Sequence, residues 1–406
     1  MENKKSVPDS VWVYVKCPVC NYSLCEEVYI SKQETGSFLG RINIRIVVCD
    51  VCGFVYQNPQ LSENILKEYY STSNMASGSV YHDKDENSTH SIRQSERANF
   101  FKKCIGKISC SISRKKILEI GCSTGDFLMT LGLEGWILSG IEPSIYAAKE
   151  ASKQGLLVDN STLQDAEICA EDYEAICVFS VIEHLPNLNH VFKKIHAALK
   201  PGGMLCLEVP DTMMPVPQLA EFFGYEHLWH FTKTTLINYL SKWGHYDVVF
   251  DEGVNDSRLR ACAVKLSDSS VDECLQNDKD SVISVLQRYT KNKNYLAGIL
   301  KKKLEKQVSD WKVNNKKIAI YGAGIHTHYL LNLANIYDEI DMLLDNDPNK
   351  FGSKYRKWII NNESAISKKL VNCIIISSKA YEDEIYRRLL PYAETLDLSI
   401  MRCYSN

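Results

Sequence analysis

Residues 117–128 read Ile117-Leu118-Glu119-Ile120-Gly121-Cys122-Ser123-Thr124-Gly125-Asp126-Phe127-Leu128, and this stretch decides the fold of the middle of the chain. An apolar β-run carrying the acid Glu119 near its end meets a Gly-x-x-x-Gly turn, which opens into an amphipathic helix. Glycine at 121 and 125 lets the backbone pass close to a ligand, where a Cβ would collide. A second β-run, Trp136 to Ile141, ends in Glu142-Pro143. In an open α/β sheet, an acid ending the second strand accepts hydrogen bonds from ribose hydroxyls. The turn has neither the Gly-x-Gly-x-x-Gly spacing of dinucleotide sites nor the Lys-Ser/Thr of a phosphate loop.

Working outward, strands are expected at 116–121, 136–141, 155–158, 174–179 and 203–209, alternating with helices. That is the pattern of a doubly wound sheet spanning 115–268. The fourth strand leaves through Ser180-Val181-Ile182-Glu183-His184-Leu185-Pro186, and Lys200-Pro201-Gly202-Gly203 turns into the fifth. The glycine turn with its partner acid, and both of these phrases, resemble the class I S-adenosylmethionine (SAM) methyltransferases. Ligands of such sheets sit beyond the carboxyl ends of the strands, which gathers Gly121, Glu142, Ser180 and His184 around one cleft. The resemblance adds Glu119, Cys122, Gly125, Pro143, Val181 and Glu183 as cofactor contacts.

Residues 1–60 carry Cys17-Pro18-Val19-Cys20 and Cys49-Asp50-Val51-Cys52, two Cys-x-x-Cys knuckles with 28 residues between them. Such a pair can set four thiolates around one zinc ion, in a closed ligand set that holds a fold and does no chemistry. Residues 61–114 read as two helices joined by a polar stretch with Tyr81 and His82, expected as a loop over the active site. A charged, mostly helical connector covers 269–312. A second Rossmann-like α/β domain, 313–406, opens with Ile318-Ala319-Ile320-Tyr321-Gly322-Ala323-Gly324, with Thr327 where a third glycine would stand. Its expected role is to shape or cover the substrate cleft.

Bases for chemistry on a methyl acceptor should project past strands four and five. His184 follows the fourth strand; His227 and His230 lie after the fifth in Gly224-Tyr225-Glu226-His227-Leu228-Trp229-His230-Phe231. Glu226 is placed to orient His227 or stabilise its protonated form. A four-cysteine ribbon, a SAM core, the Glu226-His227-Leu228-x-x-Phe231 phrase and a C-terminal Rossmann-like domain together resemble the nucleotide-sugar C-methyltransferases, over nearly the whole chain. Those enzymes methylate carbon 3 of dTDP-4-keto-deoxysugars. The resemblance implies His227 as the base that takes the proton alpha to the ketone, Glu226 as its neighbour and His184 as a second cleft histidine. It also has Tyr81 face the sugar, and Asp256-Ser257-Arg258-Leu259-Arg260 match the family's Ser-Leu-Arg strand. The chain departs from that family at Gly224, where a tyrosine is usual; Tyr225, one place later, is the tyrosine candidate here. The alternative expectation is an O- or N-methyltransferase of a sugar or surface-polysaccharide pathway.

Bulk properties narrow the class. At 406 residues the chain needs two or three cores. A net charge of −3 gives no electrostatic case for nucleic acid, and no apolar run is long enough to span a bilayer. Fifteen scattered cysteines do not form a secreted disulfide framework; Cys177, Cys206 and Cys373 sit in apolar strand-like runs, where a buried thiol is expected. The expectation is a cytoplasmic enzyme acting on a small molecule.

Overall fold

The computed structural model describes residues 11–34, 39–72, 88–106, 115–217, 222–254, 257–267, 275–379 and 381–405. Tyr81, His82 and Asp256 lie outside the described residues. The chain divides into two units, Met1–Pro215 with Phe223–Gln287, and Val216–Phe222 with Arg288–Asn406.

The first unit begins with β1 (Trp12–Val13), β2 (Cys25–Glu34), β3 (Arg41–Cys49), β4 (Val55–Gln57) and β5 (Gln60–Leu61). Ile42, Ile44 and Ile46 are buried while Asn43 and Arg45 point to solvent, so β3 keeps the period-two pattern of a strand with one covered face. β2, β3 and β4 form an antiparallel sheet, and β1 pairs with β5. Helices α1 (Glu63–Thr72) and α2 (Thr89–Ile105) follow. Ser88 caps α2 by accepting from Ser91 N, and Phe100 and Phe101 of this helix are buried.

Next come β6 (Lys115–Ile120), α3 (Asp126–Leu131), β7 (Trp136–Ile141), α4 (Ile145–Lys153), β8 (Leu157–Asp159), β9 (Tyr173–Phe179), α5 (Leu188–Ala198) and β10 (Leu199–Pro210). They are followed by β11 (Trp229–His230), α6 (Lys233–Ser241), β12 (His245–Phe250) and β13 (Arg258–Ser267). The seven-stranded sheet has the order β12-β13-β10-β9-β6-β7-β8, with β13 antiparallel to both neighbours. Numbered along the sheet's own strands this is 3-2-1-4-5-7-6, the class I SAM methyltransferase fold. The chain reverses direction across the sheet between β6 and β9, the crevice where open α/β sheets take ligands. One departure from strict alternation is the stretch 160–172 between β8 and β9, which forms turns and no helix. Thr162 and Asp165 bond each other there, side chain to side chain and side chain to backbone, which competes with a helical ladder in a short polar connection.

At the carboxyl end of β10, Glu208 is fully buried among three arginines. Arg97 Nη2 lies 2.5 Å from Glu208 Oε1, Arg260 Nη2 2.6 Å and Arg258 Nη1 3.7 Å from Oε2. Burial alone would raise the Glu208 carboxyl; Arg97 first, then Arg260 and Arg258, hold it down at about 2. The ion cluster ties α2 to β10 and β13. Arg260 also meets Asp251 at 2.8 Å, and Arg258 meets Glu96 at 3.3 Å, so removing Glu208 leaves the buried Arg97 as the guanidinium that loses its carboxylate. Glu208→Ala is expected to destabilise this unit by about 3–5 kcal/mol in urea unfolding. A cost below about 1 kcal/mol would mean that solvent already screens the cluster. Because the folded value is depressed, the stabilisation is complete above the ordinary carboxylate range and is lost as pH falls toward about 2.

Helix α7 (Lys279–Val313) is one continuous helix where a mostly helical connector was expected, and its residues from Arg288 onward belong to the second unit. That unit continues with β14 (Ile318–Tyr321), α8 (Ile325–Ala334), β15 (Met342–Leu344), β16 (Lys354–Tyr355), β17 (Trp358–Asn361), α9 (Ser364–Ser367), β18 (Cys373–Ile376), α10 (Glu382–Leu396) and β19 (Ser399–Arg402). β17-β15-β14-β18-β19 run parallel in the same 3-2-1-4-5 order, with β16 added antiparallel at the edge. Its glycine turn is closed by its own side chains. A Cβ on Gly322 would lie 2.7 Å from Ser377 Oγ, Thr327 is fully buried and bonds both Gly322 O and Ser377, and Asp345 takes Lys350 Nζ at 3.1 Å.

Candidate active site

Gly121 and Gly125 both have positive φ, +72° and +85°, a conformation that glycine enters freely. The protein itself would meet a Cβ at either position: 2.5 Å from Val181 Cγ2 at 121 and 2.2 Å from Leu156 Cδ1 at 125. The turns after β6 and β9 are thus pressed together across the crevice. Gly121 N and Cys122 N both donate to Ile141 O, fastening the turn to β7. Cys122 is buried, and burial pushes its thiol up.

Glu142 directly follows β7 and accepts from Ser123 N at 3.0 Å and Ser144 N at 2.8 Å. Burial raises its carboxyl and these two backbone donors pull it back. A carboxylate has about four acceptor positions, so two bonds leave capacity for ribose hydroxyls; Pro143 beside it is exposed. Glu119 is enclosed, with Oε2 lacking a hydrogen-bond partner among the described residues. Burial drives its carboxyl well up, and Asp126 and Glu142 add to this against Arg97, which favours the neutral form.

Beyond β9, Ser180 takes φ 54° and donates its N–H to Glu208 O at 2.7 Å. A 3-10 turn, Ile182–His184, then carries the acid–base groups. Leu228 N donates to Glu183 O at 2.8 Å and Trp229 Nε1 to Leu185 O at 2.8 Å, so the exit loop of β9 and the segment 223–230 are stitched into one wall. His184 Nδ1 donates to Glu226 O at 3.0 Å, and its ring lies edge-on to His227 with centroids 4.7 Å apart. Burial first, then His227, lowers His184 to about 4; burial raises Glu183 to about 8. At neutral pH the wall therefore presents neutral imidazole at 184.

The contact that Glu226 makes here is to His184, through its backbone carbonyl, while its carboxylate folds back beside Gly224. A Cβ at 224 would lie 3.0 Å from Glu226 Oε2, the movable end of that side chain. Tyr225 is buried and its N–H donates to Gln33 Oε1 at 3.0 Å. His230 is enclosed: it is 1% exposed, lies in β11 and packs its ring on Phe223 at 4.8 Å. It is part of the core.

The four sulfurs of Cys17, Cys20, Cys49 and Cys52 lie within 4.8 Å of one another, with Cys17–Cys52 at 3.5 Å and Cys20–Cys49 at 3.4 Å. Zinc–sulfur bonds of about 2.3 Å give a tetrahedron with edges of roughly 3.8 Å, so the donor set fits a closed zinc site. Sequence reasoning missed what this ribbon touches. β4 pairs with β11, and Gln57 Nε2 donates to Gly224 O at 2.8 Å and His227 O at 2.7 Å. Gln33 and Gln57 are ordinary strand residues by composition, and no local signal marks them. His90 was also missed: it meets Asp126, the first residue of α3, at 3.0 Å.

The chain is similar to known proteins in two separate stretches. Residues 92–248 match a family model described as a methyltransferase domain, and residues 258–396 one described as a C-methyltransferase C-terminal domain. Among curated relatives, the ubiquinone biosynthesis O-methyltransferase of Histophilus somni (strain 2336) is 28% identical over 105 residues, covering 23% of this chain and 44% of that protein. That of Haemophilus ducreyi is 31% identical over 125 residues, covering 28% and 52%. The chain thus spans about half or less of the length of these relatives. Among solved structures, the CurJ carbon methyltransferase aligns with a TM-score of 0.37 and 15% identity, covering 45% of this chain and 56% of that one. An S-adenosylmethionine dependent methyltransferase from Mesorhizobium loti aligns with a TM-score of 0.32 and 14% identity, covering 41% and 97%. Among the described residues no helix is long and apolar enough to cross a membrane. The chain thus matches a methyltransferase domain over 92–248 and the C-terminal domain of C-methyltransferases over 258–396.

Proposed function

We propose that this chain methylates a carbon alpha to the ketone of a nucleotide-linked keto-deoxysugar, with SAM as donor and His227 as general base. The observation that carries the reading is the pairing of a C-methyltransferase C-terminal domain with a histidine wall directly after β9. The sulfonium methyl needs only in-line placement against a nucleophile. A C–H next to a ketone is acidic enough for a histidine to remove its proton, giving an enolate whose carbon attacks the methyl group. SAM would be held by the Gly121–Gly125 turn and Glu142, with Glu119, Cys122, Pro143, Ser180, Val181 and Glu183 around it. Cys17, Cys20, Cys49 and Cys52 would hold a structural zinc ion.

O-methylation is the second reading, favoured by the names of the curated relatives, whose matches cover only 23–28% of this chain. Incubation with SAM and a panel of nucleotide sugars, read by mass and then by NMR, separates the two. A new methyl group on oxygen or nitrogen ends the C-methylation reading. For the cofactor, Glu142→Ala should weaken SAM binding by about 1.5–3 kcal/mol, the range for a hydrogen bond to a charged group. Calorimetric affinity unchanged by that substitution would take Glu142 out of the ribose role.

A further inference from the structure

We propose that Glu183, His184 and His227 form a second metal site, for a borderline divalent cation such as Zn2+ or Co2+, separate from the four cysteines. One ligand atom from each of the three lies within 4.8 Å of the others. The three are held by independent constraints. Glu183 and His184 sit on the turn immediately after β9, and His227 is fixed from the other side by Gln57 and by the bond from Leu228 N to Glu183 O.

The hydrogen bonding of His184 sets its tautomer. The Glu226 carbonyl can only accept, so Nδ1 carries the proton and the lone pair of the neutral ring is on Nε2. Nε2 lies 3.9 Å from Glu183 Oε1. A ring that donates one nitrogen to a backbone carbonyl and turns the other toward a carboxylate is oriented as metal-binding histidines are. Bonds of about 2.1 Å to one tetrahedral cation put neighbouring ligand atoms roughly 3.4 Å apart, half an ångström closer than this pair already stands.

Glu183 supplies the second observation. It is 1% exposed, and its Oε2 has no hydrogen-bond partner among the described residues. A buried carboxyl oxygen in that setting costs stability until a cation or a donor meets it. Two imidazoles and one carboxylate are a zinc ligand set that leaves a fourth position for water or an acceptor oxygen. A cation there would occupy the one lone pair that a neutral His227 ring has for taking a proton, so metal binding and base catalysis at His227 are mutually exclusive and the bound cation would block the proposed methylation.

The test is cobalt titration of the full chain with its cysteine site already filled by zinc. The expected result is one further equivalent of Co2+, whose visible spectrum lacks the intense thiolate charge-transfer bands of a cysteine site. Glu183→Gln and His184→Asn should each abolish that equivalent. Retained cysteine zinc in those variants, measured by elemental analysis, reports that the fold is intact, and the variant that retains it decides. No further equivalent in the wild type, or an equivalent that survives in both variants, overturns the proposal. The readout is binding, so it stands apart from the outcome of the acceptor screen.

Discussion

His227→Asn is expected to leave SAM binding unchanged and to lower turnover about 10²–10⁴-fold, the usual worth of a positioned general base. Asparagine keeps a polar side chain of similar reach and cannot take the proton. The backbone that places residue 227 does not depend on its ring: His227 N donates to Gly224 O at 3.0 Å, and Gln57 Nε2 donates to His227 O at 2.7 Å. Loss of rate without loss of fold is therefore the expected signature, with calorimetric SAM affinity as the control. C-methylation adds a demand that O-methylation lacks, because a carbon-bound hydrogen must leave. With SAH bound and keto-sugar in deuterated water, the wild type should exchange the proton alpha to the ketone and the Asn variant should do so far more slowly. Near-normal turnover by His227→Asn would move the base to His184, whose Nε2 lone pair faces the same wall.

The parts of this molecule that a sequence reveals are those built by contiguous residues. The Gly121–Gly125 turn, Glu142 and the exit phrase 180–186 could be read because strand, turn and acid follow one another within a few positions. The knuckles could be read because zinc geometry fixes Cys-x-x-Cys spacing. Even there the reason for a residue differed in part: the crowding at Gly121 comes from Val181, a contact made across 60 positions by the topology. Contacts that exist only after folding left no local mark. Glu208 sits at the end of an apolar strand, and its partners Arg97 and Arg260 lie 111 and 52 residues away. His230 looks like His227 in sequence, yet strand pairing of β11 with β4 turns one into core and leaves the other half-buried. The turn-only stretch 160–172 was hidden by the regular alternation on either side.

The other large effect expected is from the ribbon, in the variant Cys49→Ser/Cys52→Ser. Loss of two of four thiolates should release the metal, and structural zinc sites contribute apparent binding energies of about 10–16 kcal/mol to folding in small domains. The consequence should reach the chemistry, because the same sheet holds the histidine wall. β3 runs straight into Cys49, β4 begins three residues after Cys52, and β4 carries Gln57, which bonds both Gly224 O and His227 O. Tyr56 stacks on Trp229 at 6.3 Å and Phe54 packs against it, tilted, at 6.4 Å, so the ribbon core and the segment after His227 are one packed layer. If the ribbon loosens, the backbone carbonyl of His227 loses its donor and the imidazole its fixed place; a misplacement of about 1 Å can cost 10²-fold in rate. SAM is expected to bind through Gly121, Gly125 and Glu142, none of which contacts the ribbon strands by the hydrogen bonds described. The predicted result is therefore zinc loss by elemental analysis, a lower melting temperature and turnover reduced about 10²-fold, with SAM affinity close to wild type. Freshly purified wild type without zinc, or full metal retention by the double variant, would remove the metal from the ribbon. Zinc loss with turnover intact would keep the four cysteines as the wild-type ligands and cut the link between the ribbon and His227.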